Sequence, residues 1–182
     1  MMTLERKDSA RSLQVNVASD DSVIVAGYAS VFGIEDKGGD VVMAGAYARA
    51  LNALKANGGG VKMLWQHDAT QPIGVWDTVH EDAHGLFVSG RLLTDVAKAR
   101  EAAALLGAGA IDGLSIGCRT VTASKNAKGQ RMLSDLELWE VSLVTFPMLP
   151  EARVTAKSED LPPLGSCAYA EALRRAQQQL AT

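Results

Sequence analysis

The chain of 182 residues contains few of the features that mark specialised protein classes. It has only two cysteines, Cys118 in a predicted strand and Cys167 in a predicted tail, which argues against a disulfide framework and favours a reducing compartment. No apolar run approaches the roughly 18 residues of a membrane span. The first 20 residues lack the apolar core of a signal peptide. We therefore expect a soluble intracellular protein with no membrane partner.

An excess of positive charge is also missing. The 18 basic residues are outnumbered by 21 acidic ones, which gives a net charge of −3 at pH 7. General nucleic-acid binders carry a basic excess, so we expect no nucleic-acid partner. Hydrophobic residues make up 47% of the chain and charged residues 21%, which is ordinary for a globular protein. This length is sufficient for one compact domain with a substantial core.

Predicted strands outnumber predicted helices. β-branched and aromatic runs predict strands at 23–32, 61–66, 73–79, 86–92 and 132–146 and around Ser115, with a last short strand at Val154. Apolar spacing predicts helices over 46–56 and over 95–106, the second capped by Asp95, and 68–72 is predicted to be a turn. We predict a β-rich α+β fold, a small six- or seven-stranded β-barrel with two or more packed helices. The folded domain is expected at 21–156, between a flexible segment at 1–20 and a linker with a weakly helical tail at 157–182.

The segment Gly113-Leu114-Ser115-Ile116-Gly117 organises this prediction, because it places one hydroxyl between two glycines. Side chains alternate between the faces of a strand, so Ser115 shares its face with Gly113 and Gly117. Glycines inside a strand weaken it and mark either a bulge or a place where another backbone approaches closely. We therefore assign Gly113 and Gly117 to substrate binding if Ser115 is a nucleophile, and to a bend at a barrel corner if it is not.

Two familiar motifs match parts of the chain but do not fit their context. Residues 113–117 match the G-x-S-x-G motif of α/β-hydrolases, which requires a strand, a sharp turn and a helix, with the histidine after the serine. Here β-forming residues follow Ser115 and all three histidines precede it. His80 and His84 match H-E-x-x-H, which binds zinc only on a helix and with a third ligand. They lie in a predicted hairpin tip, so we expect no metal and no cofactor.

The remaining arrangement is a histidine, then the serine, then an acid. His67 follows a predicted strand, and Glu140 lies on the apolar face of a predicted strand, where a carboxylate is costly unless it is paired. A nucleophile, a base and an orienting acid are the parts of a serine hydrolase. Alternative acids are Asp68, or one of three aspartates between His67 and Ser115, each with a local structural explanation. These three are Asp77, Asp82 and Asp95.

The residues at about 23–154 resemble the caudovirus prohead maturation proteases, a family that is itself similar to the herpesvirus assemblin proteases. The matching segments, in order, are GYASVFG, WQHD around His67, IGVW with GLFVSGRL, GLSIG around Ser115, and LWEVSLVTFP around Glu140. The resemblance implies that His67, Ser115 and Glu140 are the catalytic residues of a serine endopeptidase. It also implies a β-barrel wrapped by helices. One departure is the segment 147–153, which replaces the small residues and asparagine expected there and is where backbone oxyanion donors are expected.

The resemblance further implies a role in virion assembly. Such a protease is packed inside the immature capsid in the host cytoplasm, where it cleaves the scaffold segment from the major capsid protein and usually cleaves itself. The expected partners are therefore the major capsid protein, the protease itself as substrate, and a homo-oligomer. The alternative is a catalytically silent protein of the same fold that binds or scaffolds the capsid.

Overall fold

The computed structural model describes residues 16–17 and 23–155. In this part of the chain, eight strands and two helices follow one another, and their order and bounds are β1 (Asn16–Val17), β2 (Val23–Val31), β3 (Asp40–Val42), α1 (Ala48–Ala56), β4 (Lys62–Trp65), β5 (Asp68–Glu81), β6 (Gly85–Leu92), α2 (Ala97–Gly107), β7 (Gly113–Lys125) and β8 (Arg131–Val144).

All the strands belong to one sheet, in the order β1-β2-β6-β5-β4-β8-β3, with β7 pairing β8 as well. Strand β8 is the centre of this arrangement. It pairs antiparallel with β7 along nearly its full length, and parallel with β3 at one end and with β4 at the other. Strand β8 is therefore the element through which residues of β4 and β7 are brought together.

The two ends of the sheet approach each other through the segment at 152–155. Thr155 N–H donates to the carbonyl of Ala26 in β2 at 2.7 Å, and Leu114 N–H in β7 donates to the carbonyl of Ala152 at 2.9 Å. This segment therefore bridges β7 to β2 and curls the sheet toward a closed barrel. Its inner face and the buried sides of both helices form the apolar core, whose largest fully buried side chains include Tyr47, Phe87, Met63, Ile73, Leu114 and Leu136.

The predicted β-rich α+β class with packed helices is confirmed, although the sheet has eight strands rather than six or seven. The two additional strands, β1 and β3, are only two and three residues long. Val154 forms one isolated antiparallel bridge, with Gly27 of β2, rather than a strand. Both predicted helices are present, and a turn between β7 and β8 is closed by the hydrogen bond from Gly129 N–H to the carbonyl of Asn126.

Two local predictions are wrong. Residues 68–72 belong to β5 rather than to a turn, because they pair with β4 in an irregular register. These residues do not alternate between polar and apolar, so the sequence did not indicate a strand. Asp95 is not the cap of α2. That position is held by Val96, without a side-chain hydrogen bond, because Val96 N–H closes a turn onto the carbonyl of Leu93. The predicted flexible segment at 1–20, apart from β1, the tail at 157–182 and Cys167 lie outside the described residues.

None of the helices in the described part of the chain is both long and apolar enough to cross a membrane.

Candidate active site

Three strands position the predicted serine, histidine and acid around one patch of the sheet. Ser115 of β7 stands opposite Ser142 of β8, and Gly117 stands opposite Glu140. On the other side of β8, strand β4 pairs with residues 140–143 and ends at Trp65, two residues before His67. Because residues 115, 117, 140 and 142 share one face, His67 needs only to fold over that face to meet them.

The imidazole of His67 bridges the serine and the carboxylate. Its Nε2 lies 2.9 Å from Ser115 Oγ, and its Nδ1 lies 2.5 Å from Glu140 Oε1. A carboxylate only accepts, so Nδ1 carries the proton, and Nε2 is left to accept from the serine hydroxyl. Ser115 is 6% exposed and Glu140 is 8% exposed, whereas the His67 side chain is 40% exposed. The imidazole is therefore the member of this group that meets solvent.

The hydrogen bond to Glu140 raises the pKa of His67 above its ordinary value of 6.5, although partial burial opposes the shift. A raised pKa makes the imidazole a stronger base and stabilises the imidazolium that forms when the serine loses its proton. The carboxylate is therefore placed to stabilise the charged imidazole as well as to orient the ring.

The backbone at His67 is in an unusual conformation. Both Gln66 and His67 have positive φ, 53° and 61°, in the left-handed region that residues other than glycine seldom adopt. Two hydrogen bonds hold the pair against β8. Gln66 N–H donates to the carbonyl of Leu143, and His67 N–H donates to Ser142 Oγ, both at 3.0 Å. Such strained residues concentrate at functional sites, where the surrounding structure holds them.

The two glycines beside Ser115 have a different cause from the one predicted. A Cβ on Gly117 would lie 2.0 Å from Glu140 Oε1, and a Cβ on Gly113 would lie 2.6 Å from the Val144 carbonyl and 2.8 Å from the ring of Pro147. The space beside each glycine is therefore filled by the protein's own groups. The acid and a proline therefore occupy the space that was expected to stay open beside Ser115, while the assignment of Gly113 and Gly117 to substrate binding stays a prediction.

Ser142 is the residue of this site that the sequence reasoning missed. Its hydroxyl donates to Glu140 Oε2 at 2.7 Å while accepting the His67 N–H, and the residue is fully buried. The signal was available in the strand pattern, since Ser142 lies two residues after Glu140 and so shares its face. A small hydroxyl one alternation away from a buried carboxylate is a natural partner for it.

The other acids considered lie elsewhere. Asp77 lies 3.5 Å from Arg91, and Asp82 accepts from the Tyr28 hydroxyl at 2.6 Å. Asp68, although next to His67, accepts from the Thr70 N–H and hydroxyl, and these hydrogen bonds lower its pKa. Asp95 lies just before α2. The acid hydrogen-bonded to His67 in this structure is therefore Glu140.

The alternative motifs are also separated from their required context. Ser115 lies inside strand β7 rather than at a strand-to-helix turn. His80 belongs to β5 and His84 to the tip before β6, where their rings contact Phe87 and Tyr28. Among the described residues, no group of three or more His, Cys, Asp or Glu is arranged to hold a metal ion.

A small cavity of about 40 Å³ adjoins Ser115. Its walls come from β2, the loop after it, β7 and the segment after β8, and include Ser30, Ile34, Asp36, Met148 and Leu149. The segment 147–153, where oxyanion donors were expected, therefore adjoins the serine through Met148 and Leu149. Chemically, the arrangement offers a hydroxyl, a base that accepts its proton, and a carboxylate that holds the base in one tautomer.

A family model and a phage protein match the sequence of this chain. The model of the family described as caudovirus prohead serine protease matches residues 11–165. The prohead protease of Enterobacteria phage HK97 is 33% identical over 141 residues, which are 75% of this chain and 61% of that relative. The chain thus spans less than two thirds of the length of this relative.

Solved structures resemble the fold at low sequence identity. The bacteriophage T4 capsid assembly protease superposes with a TM-score of 0.58 at 10% identity, over 73% of this chain and 93% of that one. The KSHV protease, solved with a hexapeptide phosphonate inhibitor, gives a TM-score of 0.53 at 10% identity, over 87% of this chain and 77% of that one. These likenesses show a shared fold.

Proposed function

This chain belongs to the caudovirus prohead serine protease family, and from that membership we propose that it is a serine endopeptidase acting in phage capsid maturation. Its substrate is the scaffold segment of the major capsid protein, and it also cleaves itself. The named relatives support this role, since one is called a prohead protease and another a capsid assembly protease. The place of action is the immature capsid in the host cytoplasm.

The observation that carries the proposal is the hydrogen-bonded series from Ser115 through His67 to Glu140. His67 Nε2 takes the proton from Ser115 Oγ as the oxygen attacks the peptide carbonyl. The imidazolium then gives that proton to the leaving amine. Water hydrolyses the acyl-enzyme by the same route and restores the serine. Glu140 keeps the proton on Nδ1 throughout and stabilises the charged imidazole.

The negative charge that develops on the carbonyl oxygen needs donors. We assign these to backbone N–H groups of the segment 147–153, because Met148 and Leu149 line the cavity beside Ser115. Each well-placed donor contributes about 3 kcal/mol to the transition state. The peptide binds in an extended conformation, as an added strand. The space beside Gly113 and Gly117 is filled within the chain, so contacts of these residues with the peptide are assigned to their backbone groups.

The test is processing of the major capsid protein of the same phage when it is co-expressed with this protein. The wild type should shorten the capsid protein by a discrete segment, measured by intact mass spectrometry. Ser115→Ala should abolish that cleavage while circular dichroism shows a folded protein. Ser134→Ala is the matched control, because Ser134 is an exposed serine of β8 remote from the site. Cleavage by the Ser115→Ala protein would rule out Ser115 as the nucleophile.

The second candidate, a catalytically silent capsid scaffold, is separated from the enzyme by covalent labelling. A fluorophosphonate probe reacts with a serine that is activated by a base. The enzyme should be labelled in wild type and Ser134→Ala but not in Ser115→Ala. Equal absence of label in all three, together with an uncleaved capsid protein, would favour the scaffold.

A further inference from the structure

Ser142 closes a ring of hydrogen bonds around the acid and the base. The backbone N–H of His67 donates to Ser142 Oγ at 3.0 Å, and the Ser142 hydroxyl donates to Glu140 Oε2 at 2.7 Å. The ring is closed by His67 Nδ1–H, which donates to Glu140 Oε1 at 2.5 Å. The hydroxyl thus contacts the backbone of the base and the carboxylate of the acid together. Ser115 is not a member of this ring of hydrogen bonds, although it stands opposite Ser142 in the pairing of β7 with β8.

We propose that Ser142 is a positioning residue that fixes the Glu140 carboxylate and the left-handed backbone of His67 in one rigid unit. This inference rests on the proposed protease function. A serine suits the task because its single proton satisfies the carboxylate while a lone pair accepts the N–H. Since Ser142 is fully buried, water cannot replace either bond in the resting protein.

Each of the two bonds has its own consequence. Without the acceptor, the backbone at His67 loses one of its two restraints against β8, and positive φ at a residue other than glycine is held only by its surroundings. Without the donor, the carboxylate loses a hydrogen bond on Oε2 and exerts a stronger attraction on His67. The first effect misplaces the imidazole relative to Ser115, and the second raises the pKa of His67 further.

Thr145 provides a control for the effect of loosening the backbone at Gln66 and His67, between β4 and β5. Its hydroxyl accepts from the Gln66 side-chain amide at 2.8 Å, so it also ties the loop to the end of β8. It lies on the surface and makes no bond to Glu140 or to the imidazole. If Ser142 acts only by holding the chain, Thr145→Val should resemble a Ser142 variant. If it acts on the acid and base, the two should differ.

The experiment compares Ser142→Thr with Ser142→Val, because these side chains have nearly the same shape and differ in the presence of the hydroxyl. The maximal rate and half-saturation of labelling by a fluorophosphonate probe are measured as a function of pH. Ser142→Thr should label within threefold of wild type. Ser142→Val should show a maximal rate about ten- to a hundred-fold lower at similar half-saturation. Its midpoint should lie at a higher pH than that of wild type, whereas Thr145→Val should leave the midpoint unchanged.

A second measurement makes the inference independent of labelling. NMR titration of the His67 ring in the intact protein should give a higher midpoint in Ser142→Val than in Ser142→Thr. Equal midpoints for these two variants would overturn the role of the hydroxyl, even if the protein never labels. Ser115→Ala separates the proposed protease mechanism from the proposed role of Ser142. Labelling that survives in Ser115→Ala contradicts the protease mechanism, and the NMR comparison then decides on Ser142 alone.

Discussion

Replacement of Gly117 by alanine should impair the site although Ser115, His67 and Glu140 are all retained. The added Cβ would lie 2.0 Å from Glu140 Oε1, 2.6 Å from its Cδ and 2.8 Å from its Cγ, and these are its three nearest neighbours. Ordinary contact begins at 3.4 Å, so the carboxylate oxygen must move by more than an ångström. No backbone atom is among those neighbours, which makes displacement of the Glu140 side chain the way to relieve the clash.

The expected loss of rate follows from the dependence of such sites on the exact placement of their catalytic groups. Misplacement of a catalytic constellation by about 1 Å reduces the rate about 100-fold, which corresponds to about 2.7 kcal/mol of transition-state stabilisation. We therefore expect fluorophosphonate labelling of Gly117→Ala to be about 100-fold slower than that of wild type. Gly107→Ala is the matched control, because Gly107 ends α2 and a Cβ there has nothing within 4 Å.

A double-mutant cycle identifies the cause. On a Glu140→Ala background the clash no longer exists, so adding Gly117→Ala should change the labelling rate by less than about threefold. A Gly117→Ala protein that labels at the wild-type rate would refute the argument that the carboxylate position matters. An equal loss on both backgrounds would show that Gly117 acts through something other than Glu140.

Four further results are expected. Glu140→Gln keeps the shape but not the charge, so labelling should slow about 100-fold or more; a rate within threefold of wild type would shift attention to Asp68. Because labelling needs neutral His67 and the hydrogen bond to Glu140 raises the His67 pKa, the rate should rise with pH through a midpoint above 6.5, and a lower midpoint would contradict that pairing. The raised pKa of His67 should also stabilise the folded protein, fully below about pH 6.5 and less as pH rises through the His67 pKa of the folded state. Tm should therefore fall over that pH range in wild type, and His67→Gln should remove this fall. Leu136→Ala, at a fully buried position of β8, should lower the free energy of unfolding by about 2–5 kcal/mol in urea titrations, with normal labelling of the folded fraction.

Strand alternation made the acid predictable. Glu140 shares a face with Leu136 and Leu138, both of which are buried, while Glu137 on the opposite face pairs with Arg119 at the surface. The period of two is a local property of the chain, so the sequence displays it directly. A carboxylate in an apolar row then requires a partner, and a histidine is a suitable one. In this way the sequence led to an acid–base pair across 73 residues.

Features that depend on distant pairing could not be predicted in this way. Residues 68–72 became part of β5 because β4 lies beside them, and neither burial nor alternation marks them as a strand. The left-handed backbone of His67 is imposed by hydrogen bonds to β8, about 75 residues away. The neighbour of Gly117 is likewise set by the register of β7 and β8. A glycine in a strand indicates that another group of the protein lies close to its backbone, but the sequence does not identify that group.

The site concentrates features that do not favour stability, and this bears on the choice between an enzyme and a scaffold. A buried carboxylate costs stability unless it is paired, and an apolar side chain of similar volume avoids that cost. Two consecutive left-handed residues other than glycine cost about 1–3 kcal/mol each. In this chain the buried Glu140, the strained Gln66 and His67, and a serine within 2.9 Å of the imidazole all occur at one place on the sheet. A protein that only binds capsid would gain nothing from keeping these features together, whereas a serine protease requires the acid, the base and the nucleophile in contact. The arrangement therefore favours catalysis over a purely structural role.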